Sequence, residues 1–288
     1  FTRSSADGPF TQQSKLHASD VAASDRFGRS VSLFGDTALI GSYYDDDNGI
    51  SNSGSVYVFT RSSADGPFTQ QSKIHASDGA TSDTFGVSVS LYGDTALIGA
   101  HGSYASGSSS SGYVYVFTRS SSDGTFEKYE EQPKLNAGSD AKAADYFGRS
   151  VSLYGDTALI GAIGVDDDVR DLNNVGSVYV FTRSSVDGTF TQQSKLHARD
   201  AAASDYFGRS VSLYGDTALI GAELDDDNSK GDSGSVYVFK APIVCSTDEY
   251  VSSHVCTPCD PGTTNDAGDD ASASDTACTA TNLNSQRR

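Results

Sequence analysis

The sequence predicts an all-β protein, a β-propeller of four-stranded antiparallel blades. The block F-G-x-S-V-S-L-[FY]-G-D-T-A-L-I-G occurs four times, starting at Phe27, Phe85, Phe147 and Phe207. The starts lie 58, 62 and 60 residues apart, and a period of tens of residues is typical of propellers, solenoids and other repeat arrays. Within each repeat, short alternating or apolar runs are separated by Gly and Asp turns, which is how strands are punctuated.

Each repeat is predicted to contain four strands, A to D. In the last repeat, residues 207–214 alternate apolar and small polar side chains and predict strand A. A Gly-Asp turn leads to strand B at 217–222, which is nearly all apolar and therefore predicted to be buried on both faces. Strand C at 235–239 is rich in β-branched and aromatic residues. Strand D, exemplified by 190–198, is polar and predicted to lie on the outside.

Turn residues and the count of strands predict how the strands are connected. Asp-Gly pairs at 65–66, 123–124 and 187–188 predict tight hairpins between strands C and D. Complete strand sets begin near residues 27, 85 and 147, whereas the set at 207 lacks strand D. Residues 10–18 carry the missing pattern, so the sequence predicts that this N-terminal strand completes the last blade and closes a four-bladed ring. A slice of a larger propeller is the alternative.

The amino-acid composition argues against several classes of function. The 288 residues carry a formal net charge of −18 with no cluster of Lys and Arg, which disfavours binding to nucleic acid or to anionic membranes. The sequence contains no apolar run of 18 residues, so it predicts no membrane-spanning helix. The propeller is assigned to residues 1–240.

The four cysteines lie together in a predicted disulfide-rich module at 241–279, followed by a flexible tail at 280–288. An even count in a short, loop-rich segment indicates two disulfides and an oxidising compartment. Of the three possible pairings, Cys245–Cys256 with Cys259–Cys278 is favoured, because a bond between Cys256 and Cys259 would be strained. The spacing differs from that of structural zinc sites.

The repeated motifs Phe-Gly-x-Ser-Val, Ala-Leu-Ile-Gly-Ala and Gly-Ser-Val-Tyr-Val-Phe resemble the FG-GAP repeat of integrin α-subunits and many secreted proteins. The resemblance covers about residues 1–240 and implies a propeller, extracellular placement and adhesion or ligand binding. Integrin-type propellers usually have seven blades, and four are visible here. The tail, with Cys256-Thr-Pro-Cys259 and Asp275-Thr-Ala-Cys278, is similar to ephrin-receptor or TNF-receptor-like modules.

Calcium is the one cofactor that the sequence suggests. The calcium loop of the resembled family lies between strands A and B, where this chain has only Gly-Asp, so that site is not carried over. The B–C loops instead contain acidic runs, and the predicted ligands are Asp45, Asp47 and Asn48 in the first loop and Asp225, Asp227 and Asn228 in the fourth. A solvated acidic loop is the alternative, since consecutive Asp side chains in extended chain point apart.

Two further patterns recur. An aspartate precedes each Phe-Gly, at Asp25, Asp83, Asp145 and Asp205. An arginine follows three of them, at Arg29, Arg149 and Arg209, whereas the second repeat has Val87. Pairs of these residues are predicted to pin the corner of each blade, and a ring of arginines that binds an anion is the alternative. The sequence also offers aromatic side chains that could stack on sugars, at Tyr43, Tyr44, Tyr104, Tyr146 and Tyr206.

These observations predict a secreted or cell-surface propeller without enzymatic activity, serving adhesion or the assembly of an extracellular structure through its loops. Its expected partners are other extracellular proteins or copies of itself. The four near-identical repeats support this, because a catalytic site normally breaks such symmetry. A carbohydrate-binding or carbohydrate-active propeller, lectin or lyase-like, is the alternative.

Overall fold

The chain folds into four antiparallel sheets of the predicted kind. A computed structural model describes residues 10–102, 110–119, 126–128, 134–184, 188–226, 230–240, 249–252, 255–258, 263–264 and 279–280. In these residues the only helical segments are two short 3-10 turns, Asp47–Gly49 and Gly138–Asp140. The same ranges contain no helix with the length and apolarity needed to cross a membrane.

Three sheets have four strands and the fourth has three, each strand pairing with its neighbour in sequence. The first sheet contains β1 (Ser30–Phe34), β2 (Thr37–Ser42), β3 (Ser55–Thr60) and β4 (Thr69–Ile74). The second contains β5 (Ser88–Tyr92), β6 (Thr95–Ala100), β7 (Tyr113–Arg119) and β8 (Phe126–Lys128). The third contains β9 (Phe147–Tyr154), β10 (Thr157–Ala162), β11 (Ser177–Thr182) and β12 (Thr191–Leu196). The fourth contains β13 (Ser210–Tyr214), β14 (Thr217–Ala222) and β15 (Ser235–Lys240). The A-to-D order and the four-bladed, all-β architecture are confirmed.

The A–B turns form as the sequence predicts. In the second sheet Tyr92 pairs with Thr95, which leaves a two-residue turn at Gly93-Asp94. Gly93 has a φ of 58°, a left-handed conformation that glycine adopts without a Cβ penalty. Strand β6 is buried along its whole length, so the prediction that strand B is covered on both faces holds for the second sheet. It is wrong for β14, where Leu219 is 43% exposed, because no further sheet among the described residues packs on that face.

The C–D connection differs from the prediction. In the first sheet β3 ends at Thr60 and β4 begins at Thr69, so Asp65-Gly66 lies within a longer loop and not in a tight hairpin. Arg61 explains the extra length, because its side chain binds Asp36 of the A–B turn at 2.7 Å and the carbonyl of Ala64 at 2.5 Å.

The N-terminal segment was predicted to complete the last blade, and that closure stays a prediction. Residues 12–18 form no strand, and among the described residues the fourth sheet holds β13, β14 and β15 alone. Ala18 is buried against Ile40, Tyr57 and Phe59 of the first sheet. At the next junction the equivalent residue, Ala76, is likewise buried against the following sheet.

Two compact units divide the chain. One comprises Phe1–Gly215 with Leu219–Val238, and the other comprises Asp216–Ala218 with Phe239–Arg288. Two small antiparallel pairs lie in the second unit: β16 (Glu249–Ser252) with β17 (Val255–Pro258), and β18 (Thr263–Thr264) with β19 (Thr279–Ala280). The predicted disulfides involve Cys245, Cys259 and Cys278, which lie outside the described residues, so they stay predictions.

Candidate functional site

The buried aspartates before each Phe-Gly do not pair with the arginines that follow, so the prediction of a structural Asp–Arg pair is wrong. The side chain of each of these aspartates accepts a hydrogen bond from the backbone N–H three residues earlier. The bonds run from Ala22 to Asp25 at 2.7 Å, from Ala80 to Asp83 at 2.8 Å, from Lys142 to Asp145 at 2.7 Å and from Ala202 to Asp205 at 2.6 Å.

The local backbone conformation explains why each aspartate binds a backbone amide. The residues on either side of Asp145, Ala144 and Tyr146, have φ values of 65° and 55°. Side chains other than glycine rarely adopt such values, and the carboxylate hydrogen bond ties the turn together. Burial raises the pKa of Asp145, although the amide of Lys142 opposes that effect.

The arginines line an open cavity of about 730 Å³ within the larger unit. Strand A of the first, third and fourth sheets contributes Arg29, Arg149 and Arg209, together with serines and valines of the same motif. Among the lining residues Glu223 is the one carboxylate, and it lies 2.8 Å from the guanidinium of Arg209. Arg29 lies over the ring of Tyr43, 5.8 Å from its centroid.

The three arginines act on each other and on a neighbouring histidine. Burial lowers the pKa of Arg149 to about 10, and the charges of Arg209 and Arg29 contribute to the same shift. Burial also lowers the pKa of His101 to about 4, with further contributions from all three arginines. His101 is therefore neutral at neutral pH, while Arg149 stays protonated.

The acidic loop of the first sheet holds a lysine among its carboxylates. The ammonium of Lys73 lies 2.8 Å from Asp20, 2.8 Å from Asp45 and 3.4 Å from Asp47. Asp45 also accepts hydrogen bonds from Ser55 at 2.6 Å and from Tyr57 at 3.2 Å. A calcium ion would have to displace the ammonium of Lys73 to use both Asp45 and Asp47.

Of the remaining predicted calcium ligands, Asn48 and Asp225 lie within the described residues. Asn48 donates a hydrogen bond to its neighbour Asp47 at 2.7 Å. Asp225 is buried in the fourth loop, whereas Asp227 and Asn228 lie outside the described residues. In the described part of the chain no three His, Cys, Asp or Glu side chains are placed to hold a metal ion. Calcium binding stays a prediction.

The aromatic candidates are dispersed. Tyr43 and Tyr44 stack with ring centroids 4.1 Å apart, Tyr146 packs edge-on against His101 at 5.6 Å, Tyr206 is partly buried, and Tyr104 lies outside the described residues. A different set of aromatic side chains forms a row along the A–B turns of all four sheets. It comprises Phe34, Tyr92, Tyr154 and Tyr214, whose successive ring centroids are 5.1, 5.0 and 5.0 Å apart. The recurring [FY] before each Gly-Asp was the available signal for this row.

One serine–histidine pair was also unforeseen. The hydroxyl of Ser177 lies 3.1 Å from Nδ1 of His197. Ser177 has no exposed surface, so a substrate could not reach its hydroxyl without a rearrangement of the sheet. In the first sheet the equivalent Ser55 binds Asp45, and Val165 occupies the position of that aspartate in the third sheet. The histidine therefore satisfies a buried hydroxyl.

The Ser-Val-Ser of strand A joins each sheet to the next. The first serine donates a hydrogen bond to the glycine carbonyl of the following Phe-Gly, as in Ser88 to Gly148 at 2.7 Å. The second serine accepts a hydrogen bond from the backbone of the following strand A, as in Leu153 to Ser90 at 2.9 Å. Both contacts recur at all three junctions.

Among the described residues, no further sheet packs on the front face of the first sheet or on the rear face of the fourth. On the front face of the first sheet Leu33 is 61% exposed, whereas its equivalent Leu91 is 5% exposed at an internal junction. On the rear face of the fourth sheet Val238 is 64% exposed, whereas its equivalent Val58 is fully buried. Val31 on the front face and Leu219 and Val236 on the rear face are exposed as well.

Two solved structures that resemble this chain share little of its sequence. Sqt1 from Saccharomyces cerevisiae is 11% identical with a TM-score of 0.41, the match covering 84% of this chain and 59% of that one. An exo-beta-1,3-galactanase from Phanerochaete chrysosporium, solved with beta-1,3-galactotriose, is 13% identical with a TM-score of 0.37, and the match covers 67% of this chain and 42% of that one. No curated protein matches the sequence.

The family model described as FG-GAP repeat matches four times, over residues 10–59, 68–117, 129–181 and 190–239. Each match contains strands A, B and C of one sheet, and the first begins at the N-terminal segment that packs on the first sheet. Because these matches span more than half of the sequence, the chain belongs to the FG-GAP repeat family.

Proposed function

We propose that this protein is a non-enzymatic module of an extracellular or cell-surface structure, and that copies of it assemble head to tail through their terminal sheet faces. The rear face of the fourth sheet of one copy would pack on the front face of the first sheet of the next. The observation that carries the proposal is that both faces expose apolar side chains whose equivalents are buried at the first two internal junctions and buried or half-buried at the third.

The two faces are complementary, because each has an exposed apolar side chain and one has the hydrogen-bond acceptor that matches the donor of the other. The front face offers Leu33 together with the carbonyl of Gly28, which corresponds to the acceptor used at internal junctions. The rear face offers Val238 and the hydroxyl of Ser210, which corresponds to the donor. A contact between two different faces is heterologous, so repeated association produces a ring of copies or a filament.

Sedimentation velocity over a range of concentrations tests this proposal. The wild-type chain should self-associate, whereas Leu33→Asp and Val238→Asp should each be monomeric, because a buried, unpaired carboxylate opposes docking. An equimolar mixture of the two variants should form a 1:1 dimer that cannot grow, since one intact front face and one intact rear face remain. Val169→Asp, which makes the same kind of change at a fully solvated loop position, should associate like the wild type.

A wild-type chain that stays monomeric at every concentration would contradict the assembly proposal. Hydrogen exchange then identifies the alternative. Strong protection of the β1 and β15 amides in that monomer would mean that the two faces meet within one chain.

The lack of enzymatic activity is a second part of the proposal. The burial of Ser177 supports it, because this hydroxyl is the one found beside a histidine base in the described residues. The loops between strands B and C, where the repeats diverge, remain the surfaces through which a specific extracellular partner would be chosen.

Glycan binding is the second candidate, favoured by the aromatic row at the A–B turns. Its last member, Tyr214, is exposed, and an exposed ring at the end of a row of rings suits stacking on a sugar. A glycan array with a turnover assay tests this candidate. Binding that is lost in Tyr214→Ala would support a lectin role, and reproducible sugar cleavage would contradict the non-enzymatic proposal.

A further inference from the structure

The cavity lined by the arginines concentrates positive charge in a strongly acidic protein. Its charged lining residues are three arginines and Glu223, a formal charge of +2, while the whole chain carries −18. Charges of one sign gathered in a concave site raise the local concentration of the opposite ion.

The carboxylates that could neutralise these arginines are engaged elsewhere. Asp25 and Asp145, four residues before Arg29 and Arg149, bind backbone amides. In the described part of the chain, no carboxylate lies within 4.0 Å of the guanidinium groups of Arg29 or Arg149. Only Arg209 has an ion pair there, with Glu223.

The position of Arg149 in the cavity is energetically unfavourable for its positive charge. Arg149 is half-buried, and the charges of Arg29 and Arg209 oppose its own. Partial burial next to like charges destabilises a cation unless a counter-charge is supplied. Within the described residues the protein supplies one carboxylate for three guanidinium groups.

From this arrangement we infer that the cavity is a binding site for a doubly charged oxyanion, a sulfate or phosphate group, held by Arg29 and Arg149 with Arg209 beside it. Guanidinium groups form bidentate, charge-assisted hydrogen bonds with such oxygens. Two unneutralised arginines match the charge of one dianion. The volume of about 730 Å³ exceeds what an inorganic ion needs and also admits a small molecule that carries the group.

The cavity borders the two terminal faces, since Val31 of the front face and Val236 of the rear face also line it. Leu33 and Val238, whose substitution tests assembly, do not line the cavity. Anion binding can therefore be measured on the Leu33→Asp variant as well as on the wild-type chain. Failure of one proposal leaves the other intact.

Isothermal titration of the full chain with sodium sulfate, at constant ionic strength in chloride, tests the inference. Sulfate should bind, and Arg149→Gln should weaken binding by roughly tenfold or more, because one charge-assisted contact is lost. Glu223→Gln should tighten binding several-fold, because it frees Arg209. Arg199→Gln removes the same charge from an exposed position and should leave the affinity unchanged.

A thermal melt separates this site from a structural role of Arg149. Without sulfate, Arg149→Gln should melt at or above the wild-type temperature, because a repelled, half-buried charge has been removed. A lower melting temperature together with unchanged sulfate affinity would overturn the inference, as would equal effects of Arg149→Gln and Arg199→Gln.

Glucose 6-sulfate, with glucose as the neutral control, distinguishes the two sources of the anion. Affinity equal to that of sulfate would identify the ion itself as the ligand. Tighter binding would assign the remaining cavity to the carrier, and binding of glucose alone would contradict anion recognition.

Discussion

At the scale of single residues, the repeated motif is mainly a set of contacts between sheets. The serines of strand A, which a sequence reader takes for small polar spacers, bind the backbone of the following sheet at every internal junction. The same serine in the fourth sheet, Ser210, is exposed. Identical residues therefore differ in energetic importance according to whether another sheet follows.

Ser88→Ala should lower the free energy of unfolding by about 1 to 3 kcal/mol, because it leaves the carbonyl of Gly148 without its donor in a buried junction. Ser210→Ala, the same change at the terminal face, should alter stability by no more than about 0.5 kcal/mol. Urea denaturation of both variants checks this. Equal losses would mean that the junction bond contributes nothing beyond the intrinsic preference of the strand.

At the scale of elements, the glycine that follows Ala-Leu-Ile in strand B sets how closely two sheets approach. A Cβ on Gly99 would overlap the carbonyl oxygen of Gly148 in the next sheet, and Gly41 and Gly161 are placed in the same way. Gly221, in the last sheet, would meet only the hydroxyl of Ser210, at 2.5 Å. Ser210 is exposed, and its side chain can rotate away.

Gly99→Ala should be strongly destabilising, by roughly 3 kcal/mol or more, since either the sheets must separate or the backbone must shift. Gly221→Ala should cost about 1 kcal/mol or less. Thermal and urea unfolding of the pair measure the difference. Similar stabilities for the two variants would show that the junction tolerates a wider spacing.

At the scale of the whole molecule, the charge of −18 opposes the association of copies while the terminal faces favour it. Like net charges repel over the Debye length, which shrinks from about 30 Å at 0.01 M salt to about 10 Å at 0.1 M. Salt should therefore promote assembly, whereas it should weaken sulfate binding to the arginines by screening.

Raising sodium chloride from about 0.02 to 0.5 M should strengthen self-association several-fold, because screening removes repulsion and leaves the apolar contact intact. Sedimentation at matched protein concentrations measures this, with Val238→Asp as the control that stays monomeric throughout. If salt dissociated the assembly, ion pairs rather than apolar faces would hold the copies together.

The sequence by itself determined strands A, B and C of each repeat, the Gly-Asp turns and the number of sheets. Each of these follows from local alternation and from glycine, repeated four times. Only the tertiary structure decided where the charges lie. Asp25 and Arg29 are neighbours in sequence, but the left-handed turn directs the carboxylate to a backbone amide, while strand A carries the guanidinium to the cavity. Which faces remain exposed depends on which sheet has a neighbour, and identical repeats carry no local signal of that.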